Sequence, residues 1–184
     1  MTRQPAWVDE VLSFWFLELE KPQWFKKDDS LDADIRRRFD SVHSEVSASD
    51  LGELTTSPHT ALAAIIVLDQ FSRNMFRGSK KTFASDPIAL DLAKRVLQKE
   101  LERGYSVDQK AFCYLPFEHS EAIEDQHRSV ALFQALGDAN YLAYAKAHLE
   151  VIEKFGRFPH RNELLSRIST PQELKYLAQP GSGF

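Results

Sequence analysis

Apolar residues recur along this chain at the three- and four-residue spacing of helices, with no sustained strand-like alternation. Leu92, Val96, Leu97 and Leu101 follow the helical period, as do Tyr141, Tyr144, Ala145, His148, Ile152 and Phe155. No Asn-Gly or Asp-Gly hairpin turn interrupts the pattern. Ser57-Pro58, Asp86-Pro87 and Thr170-Pro171 each place an N-cap residue type before a proline at the first helical position, where the missing N–H is harmless. Thr170 and Glu173 have the spacing of a capping box. Gly78, Gly104, Gly137 and Gly156 stand where helices should stop, since glycine tolerates a left-handed C-cap. Together these signals predict helices over 5–19, 30–48, 58–77, 86–103, 114–136 (with room for a break), 138–155 and 171–178. The short links at Gly104 and Gly137 make neighbouring helices antiparallel, so the expected fold is all-α, built of stacked antiparallel helix pairs. Residues 1–184 read as one helical domain, with 179–184 as a loose tail.

Composition narrows the function classes. At 184 residues, 43% hydrophobic and 27% charged, the chain can bury roughly 70% of its unfolded surface as a single domain. The net charge of −4 argues against a general nucleic-acid binder while leaving room for a local basic pocket. The one cysteine, Cys113, has no internal disulfide partner, which fits a reducing compartment and a cytoplasmic protein. Val11 to Leu19 is apolar, but Asp9 and Glu10 precede it and Glu18 interrupts it, which is not the pattern of a signal peptide. The longest apolar run, Ala61 to Leu68, is far short of the about 20 residues that span a bilayer, so no membrane partner is expected. The aromatics Trp7, Trp24 and Phe25 suit either a core or an interface.

Unusual polar chemistry concentrates in three segments. In Asp69 to Gly78, the residues Asp69, Gln70, Arg73, Asn74 and Arg77 share an arc of about 140° on a helix whose earlier half is apolar nearly all round. In Tyr114 to Glu121, followed by Asp125, the acids Glu118, Glu121 and Asp125 fall on one stripe if the segment is helical throughout. Such a stripe calls for facing cations, with the arginines of the first segment as candidates, or for one carboxyl with a raised pKa. In Phe155 to Asn162, a helix ends at Gly156 and Pro159 fixes a turn, crowding Arg157, His160, Arg161 and Asn162 into one loop. Upstream, His148 lies on an apolar face, more often the position of a satisfied core histidine than of a ligand. A single Glu-x-x-His at Glu124 and His127 lacks the second copy that a di-iron bundle requires. With no P-loop, dinucleotide fingerprint or nucleophile elbow, no cofactor and no metal are expected.

These segments resemble the diagnostic stretches of an uncharacterised bacterial family, domain of unknown function 924. The resemblance rests on Leu68 to Gly78, Phe83 to Pro87, Tyr114 to Glu121 and Phe155 to Asn162, with Phe14-Trp15-Phe16 and Ser169 to Glu173 fitting as well. Ser72 stands where the family pattern has proline, which is expected to leave that turn straighter. The resemblance implies a tetratricopeptide-like stack of helix pairs and no particular reaction.

Three functional readings follow from the residues. The first is a binding module in which Gln70, Arg73, Asn74, Arg77, Arg157, His160 and Arg161 form a cationic clamp for an anionic small molecule or an acidic peptide end. The second is an enzyme on an anionic substrate, with His148 or His160 moving a proton and Glu118 or Glu121 as base or orienting group. The third is a structural ion-pair network with no ligand.

Overall fold

The computed structural model of the chain describes residues 4–183, and among these every regular element is helical. Helix α1 (Ala6–Ser13) runs without a break into a π-helical turn, Phe14–Glu18, closed by the Leu19 N–H donating to the Phe14 carbonyl at 3.2 Å. Helix α2 (Asp29–Ala48) starts on Asp28, whose carboxylate accepts from the Ser30 and Leu31 N–H groups. Its stripe of Leu31, Ile35, Phe39, Val42 and Val46 is buried, as a three–four spacing requires. A single turn, α3 (Leu51–Leu54), leads to Ser57, which caps α4 (Pro58–Ile65) through the Thr60 N–H.

Helix α4 continues through a second π-helical stretch, Ile66–Phe71, into α5 (Ser72–Met75). Every residue from Thr60 to Ser72 is buried, which makes this the central rod of the fold. Phe71 carries the aromatic core, with its ring centroid 4.7 Å from Phe39, 5.7 Å from Trp15 and 5.9 Å from Phe14. Ser72 opens the regular turn of α5. A π-helical stretch leads into it, the Ser72 hydroxyl donates to the Leu68 carbonyl at 2.6 Å, and His43 Nε2 lies 2.8 Å from the same oxygen.

The remaining helices are α6 (Asp86–Gln98), α7 (Val107–Glu118), α8 (Ile123–Leu136), α9 (Ala139–Phe155) and α10 (Pro171–Leu177). Helices α7, α8 and α9 pack consecutively, while α1, α2, α6 and α7 surround the central rod, so the fold is all-α with helices packed in pairs. Three boundaries differ from the expectation. The 86–103 helix stops at Gln98, because Glu100 takes the left-handed conformation foreseen at Gly104. Helix α7 starts at Val107 on a capping box of Ser106 and Gln109, and the 114–136 segment does break, between Glu118 and Ile123. Gly78, Gly137 and Gly156 take the positive φ expected of them. Trp7 and Trp24 belong to the core, whereas Phe25 is mostly exposed and stacks on Phe112. Tyr144 is also exposed, so the buried stripe of α9 is Ala145, His148, Val151 and Ile152. Residues 179–181 and 183 are exposed, and the Ser182 hydroxyl donates to the Leu177 carbonyl. Phe184 lies outside the described residues. No helix of the described residues is long and apolar enough to cross a membrane.

Candidate functional site

The three polar segments meet where the central rod, the end of α7 and the loop after α9 come together. The rod supplies Asp69, fully buried, and Arg73 one turn later, 3.2 Å from its carboxylate. Arg73 also donates a fork of two hydrogen bonds, 2.9 and 3.1 Å, to Asp86 at the start of α6. Asp86 is therefore no cap: its carboxylate faces Arg73, and no side-chain cap bond closes the start of α6. Gln70 Nε2 donates to Asp69 at 2.6 Å.

Glu118 is the last residue of α7 and His119 follows it. Gln126, buried in α8, fixes this turn by donating to the carbonyls of Glu118 and Ser120, both at 2.7 Å. The turn aims His119 at the rod, with Nδ1 2.7 Å from Asp69 Oδ1. Burial opposes ionisation of Asp69, but Arg73 and His119 hold its carboxyl well below the usual range. The Asp69 oxygen is thus an acceptor, so His119 Nδ1 carries the proton and Nε2 is the basic nitrogen. Burial, and then Arg73, lower the pKa of His119, which favours the neutral ring.

Glu118 itself is 3% exposed and sits beside His148 of α9, with Oε1 3.2 Å from His148 Nδ1. That Nδ1 is also 2.9 Å from the Tyr144 carbonyl, which only accepts, so Nδ1 bears the proton. Burial pushes Glu118 up to about 8, helped by the nearby Asp69 charge, and pushes His148 down to about 3. Both groups are therefore neutral, with the His148 Nδ1–H directed at the Tyr144 carbonyl. The rings of His119 and His148 are 6.3 Å apart.

The third segment closes the cluster. Phe158 packs on His148, and the Arg161 guanidinium lies between the rings of Phe83 and Phe158, at 4.6 and 4.5 Å from their centroids. Arg161 donates to the His119 carbonyl at 3.0 Å and stands 3.5 Å from Asp86. Burial, with Arg73 close by, lowers its pKa to about 10. Two buried atoms of this cluster, Glu118 Oε2 and Arg161 Nε, have no hydrogen-bond partner among the described residues. His160 lies on the Phe158 ring, and burial with Arg161 nearby pushes it down to about 4.

Arg73, His148, Glu118, His160 and Arg161 thus come together, with Gln70 at the edge. Others do not join them. Arg77 and Asn74 turn to the opposite neighbour, α2, where both hold Asp32. Arg157 is engaged by Glu173 and the Ile168 carbonyl, the anchor of α10. The acid stripe does not form, because the helix breaks after Glu118. Glu121 accepts from Arg167 and from the Phe158 N–H, while Asp125 pairs with Lys94. Burial of Glu121 is outweighed by Arg167 and that N–H, which lower its pKa, so it serves as a structural anion. Sequence reasoning did not single out His119, Asp69 or Asp86 as site residues. Among the described residues no group of three His, Cys, Asp or Glu side chains is arranged to hold a metal ion.

The chain is similar to a solved protein of unknown function from Agrobacterium tumefaciens, at 36% identity and a TM-score of 0.89, over 94% of this chain and 97% of that one. No functionally curated protein matches it. Residues 11–181 match the family described as bacterial protein of unknown function (DUF924), and the chain belongs to that family.

Proposed function

We propose that this chain is an enzyme performing acid–base chemistry on a small anionic substrate at the His119–Glu118–Arg161 cluster. The observation that carries this reading is the oriented, buried Asp69–His119 pair, with Nδ1 donating at 2.7 Å, next to a carboxyl that burial holds up to about 8. An aspartate that fixes the tautomer of a histidine leaves its other nitrogen as a general base. A carboxyl poised near 8 keeps its proton at neutral pH and can deliver it as a general acid. Arg161, with Nε unpartnered and its guanidinium flanked by two rings, offers a donor for a substrate oxyanion. His119, Arg73 and Asp86 retain 14%, 20% and 15% side-chain exposure, so the cluster reaches the surface at this edge.

A cationic clamp at the same place is the weaker reading, because the arginines it needs are already engaged by carboxylates. Arg73 forks onto Asp86, Arg77 onto Asp32 and Arg157 onto Glu173. A single buried cysteine supports a cytosolic setting for the activity.

The test is a turnover screen of the purified chain against carboxylate esters, phosphate esters and amides bearing a second anionic group. His119→Gln and Glu118→Gln are expected to lower any turnover by about 10²-fold or more, with melting temperatures close to that of the parent. Turnover that survives both substitutions rules the assignment out.

A further inference from the structure

The cover of the acid–base cluster is irregular chain. Past Gly156 comes one 3-10 turn, Pro159–Arg161, and then a run of turns as far as Ser166. Gly156 and Ser166, with φ of 69° and 55°, bracket this stretch with two left-handed residues. Its inner side chains are buried over the cluster. Phe158 packs on His148 with ring centroids 5.5 Å apart, and Arg161 donates to the His119 carbonyl at 3.0 Å. The Arg167 guanidinium draws the ends together by donating to the Phe158 carbonyl at 3.1 Å. Residues 157–167 thus make a compact loop of the Ω type, a form that is frequently functional.

The way this loop is attached marks it as the movable part. The rod and the helices around it share the large core, whereas Phe158 belongs to a small separate cluster with Val151 and Ile152. A segment with few buried apolar contacts opens at a lower cost than the core does. Its polar attachment converges on one side chain of the α7–α8 turn. Glu121 accepts from the Phe158 N–H at 2.7 Å, and Arg167 donates to both of its oxygens, at 2.8 and 3.0 Å. One carboxylate therefore holds the loop at both of its ends.

Access to the cluster calls for such a movement. Glu118 and His148 are 3% and 5% exposed, and Phe158 and Arg161 lie over His148 and the Glu118–His119 turn. A substrate that takes a proton from Glu118 must displace that cover. The roles are also divided between the two parts. The rod and the end of α7 carry the proton-handling groups Asp69, His119 and Glu118, while the loop carries Arg161, the oxyanion donor. Closure of a loop that brings in a missing group completes a site and excludes water from it. We propose that residues 157–167 form a strap that lifts from the cluster to admit substrate and closes to deliver Arg161, with Glu121 as its latch. The purpose of the strap rests on the acid–base reading, but its opening does not.

The experiment is labelling of the folded chain with diethyl pyrocarbonate, which modifies neutral imidazoles that solvent reaches, read for each histidine by peptide mass spectrometry. His43, 9% exposed on α2 beside Ser72, reports general loosening, and the exposed His59 reports reagent activity. In the parent, His148 should react far more slowly than His59. Glu121→Ala should speed His148 labelling about tenfold, with His43 and His59 unchanged. Arg167→Ala cuts the same latch from the strap side and should act in the same direction. An unchanged His148 rate in Glu121→Ala overturns the proposal, as does a rise at His43 in step with His148. No substrate is present in the measurement. Absence of turnover would therefore discard the acid–base reading alone, and a His148 rate that ignores the latch would discard the strap alone.

Discussion

His119 and Asp69, 50 residues apart in the chain, meet through a 2.7 Å hydrogen bond at the buried end of the polar cluster. Because the carboxylate is ionised and can only accept, the imidazole is restricted to the Nδ1–H tautomer. Imidazole 15N spectra of the parent should therefore show His119 as a single Nδ1–H form at neutral pH. Asp69→Ala removes the acceptor and one of the two carboxylates facing Arg73. Loss of about 3 kcal/mol of stability in urea unfolding is expected, since truncating one member of a buried charge pair strands the other, together with a mixture of His119 tautomers. A variant that retains the single tautomer would show that Asp69 does not set it.

The buried histidines and Glu118 impose opposite pH dependences on stability. His148 and His160 have folded values of about 3 and about 4, below their ordinary 6.5. Between those limits the unfolded chain binds more protons, so stability is full above about 6.5 and is lost on acidification. Glu118 is raised from 4.5 to about 8, so there the folded chain binds the extra proton, and its contribution declines as pH rises toward 8. The melting temperature should climb from about pH 4 to about pH 6.5 and then fall toward pH 8. In Glu118→Gln the alkaline decline should flatten and the rise up to about pH 6.5 should steepen, because Glu118 opposes the histidines from 4.5 upward; differential scanning calorimetry at a series of pH values can check both.

Arg157 tests whether the C-terminal elements are independent of the cluster. It ties the Ile168 carbonyl and Glu173 to the end of α9, and it touches none of Asp69, Glu118, His119 or Arg161 through the bonds it makes. Arg157→Ala should speed hydrogen exchange in 168–178 and leave the His119 and His148 imidazole signals where they are. Movement of those signals would place Arg157 in the same network.

How much of this was legible depends on whether a signal is local. Asp28, Ser57, Asp138 and Thr170 cap helices within three residues of themselves, and helices near 30–48, 58–77, 138–155 and 171–178 were readable to within a few residues. The 114–136 reading leaves room for a break, but no glycine or proline between Glu118 and Ile123 fixes its place. It is held by Gln126 from the next helix, a contact that no local pattern announces. The same holds in the cluster. Arg73, Glu118, His148 and Arg161 stood out because charges in apolar surroundings are costly and need a reason. Asp86 looked like an N-cap because it precedes Pro87, and only the packing of α6 on the rod turns it toward Arg73. The arc of polar residues after Asp69 was correctly seen, but it is wide enough to face two neighbours. Arg73 therefore serves one side, and Asn74 and Arg77 serve the other.

The acid–base account stands or falls on the protonation state of one side chain. Infrared difference spectroscopy of the parent against Glu118→Gln, titrated from pH 5 to pH 10, reports the Glu118 carboxyl directly. A protonated carboxyl band that persists at pH 7 and bleaches with a midpoint near 8 is the predicted result. A band already gone at pH 6 would mean that Glu118 is an ordinary carboxylate paired with a charged His148, and the cluster a structural ion-pair network.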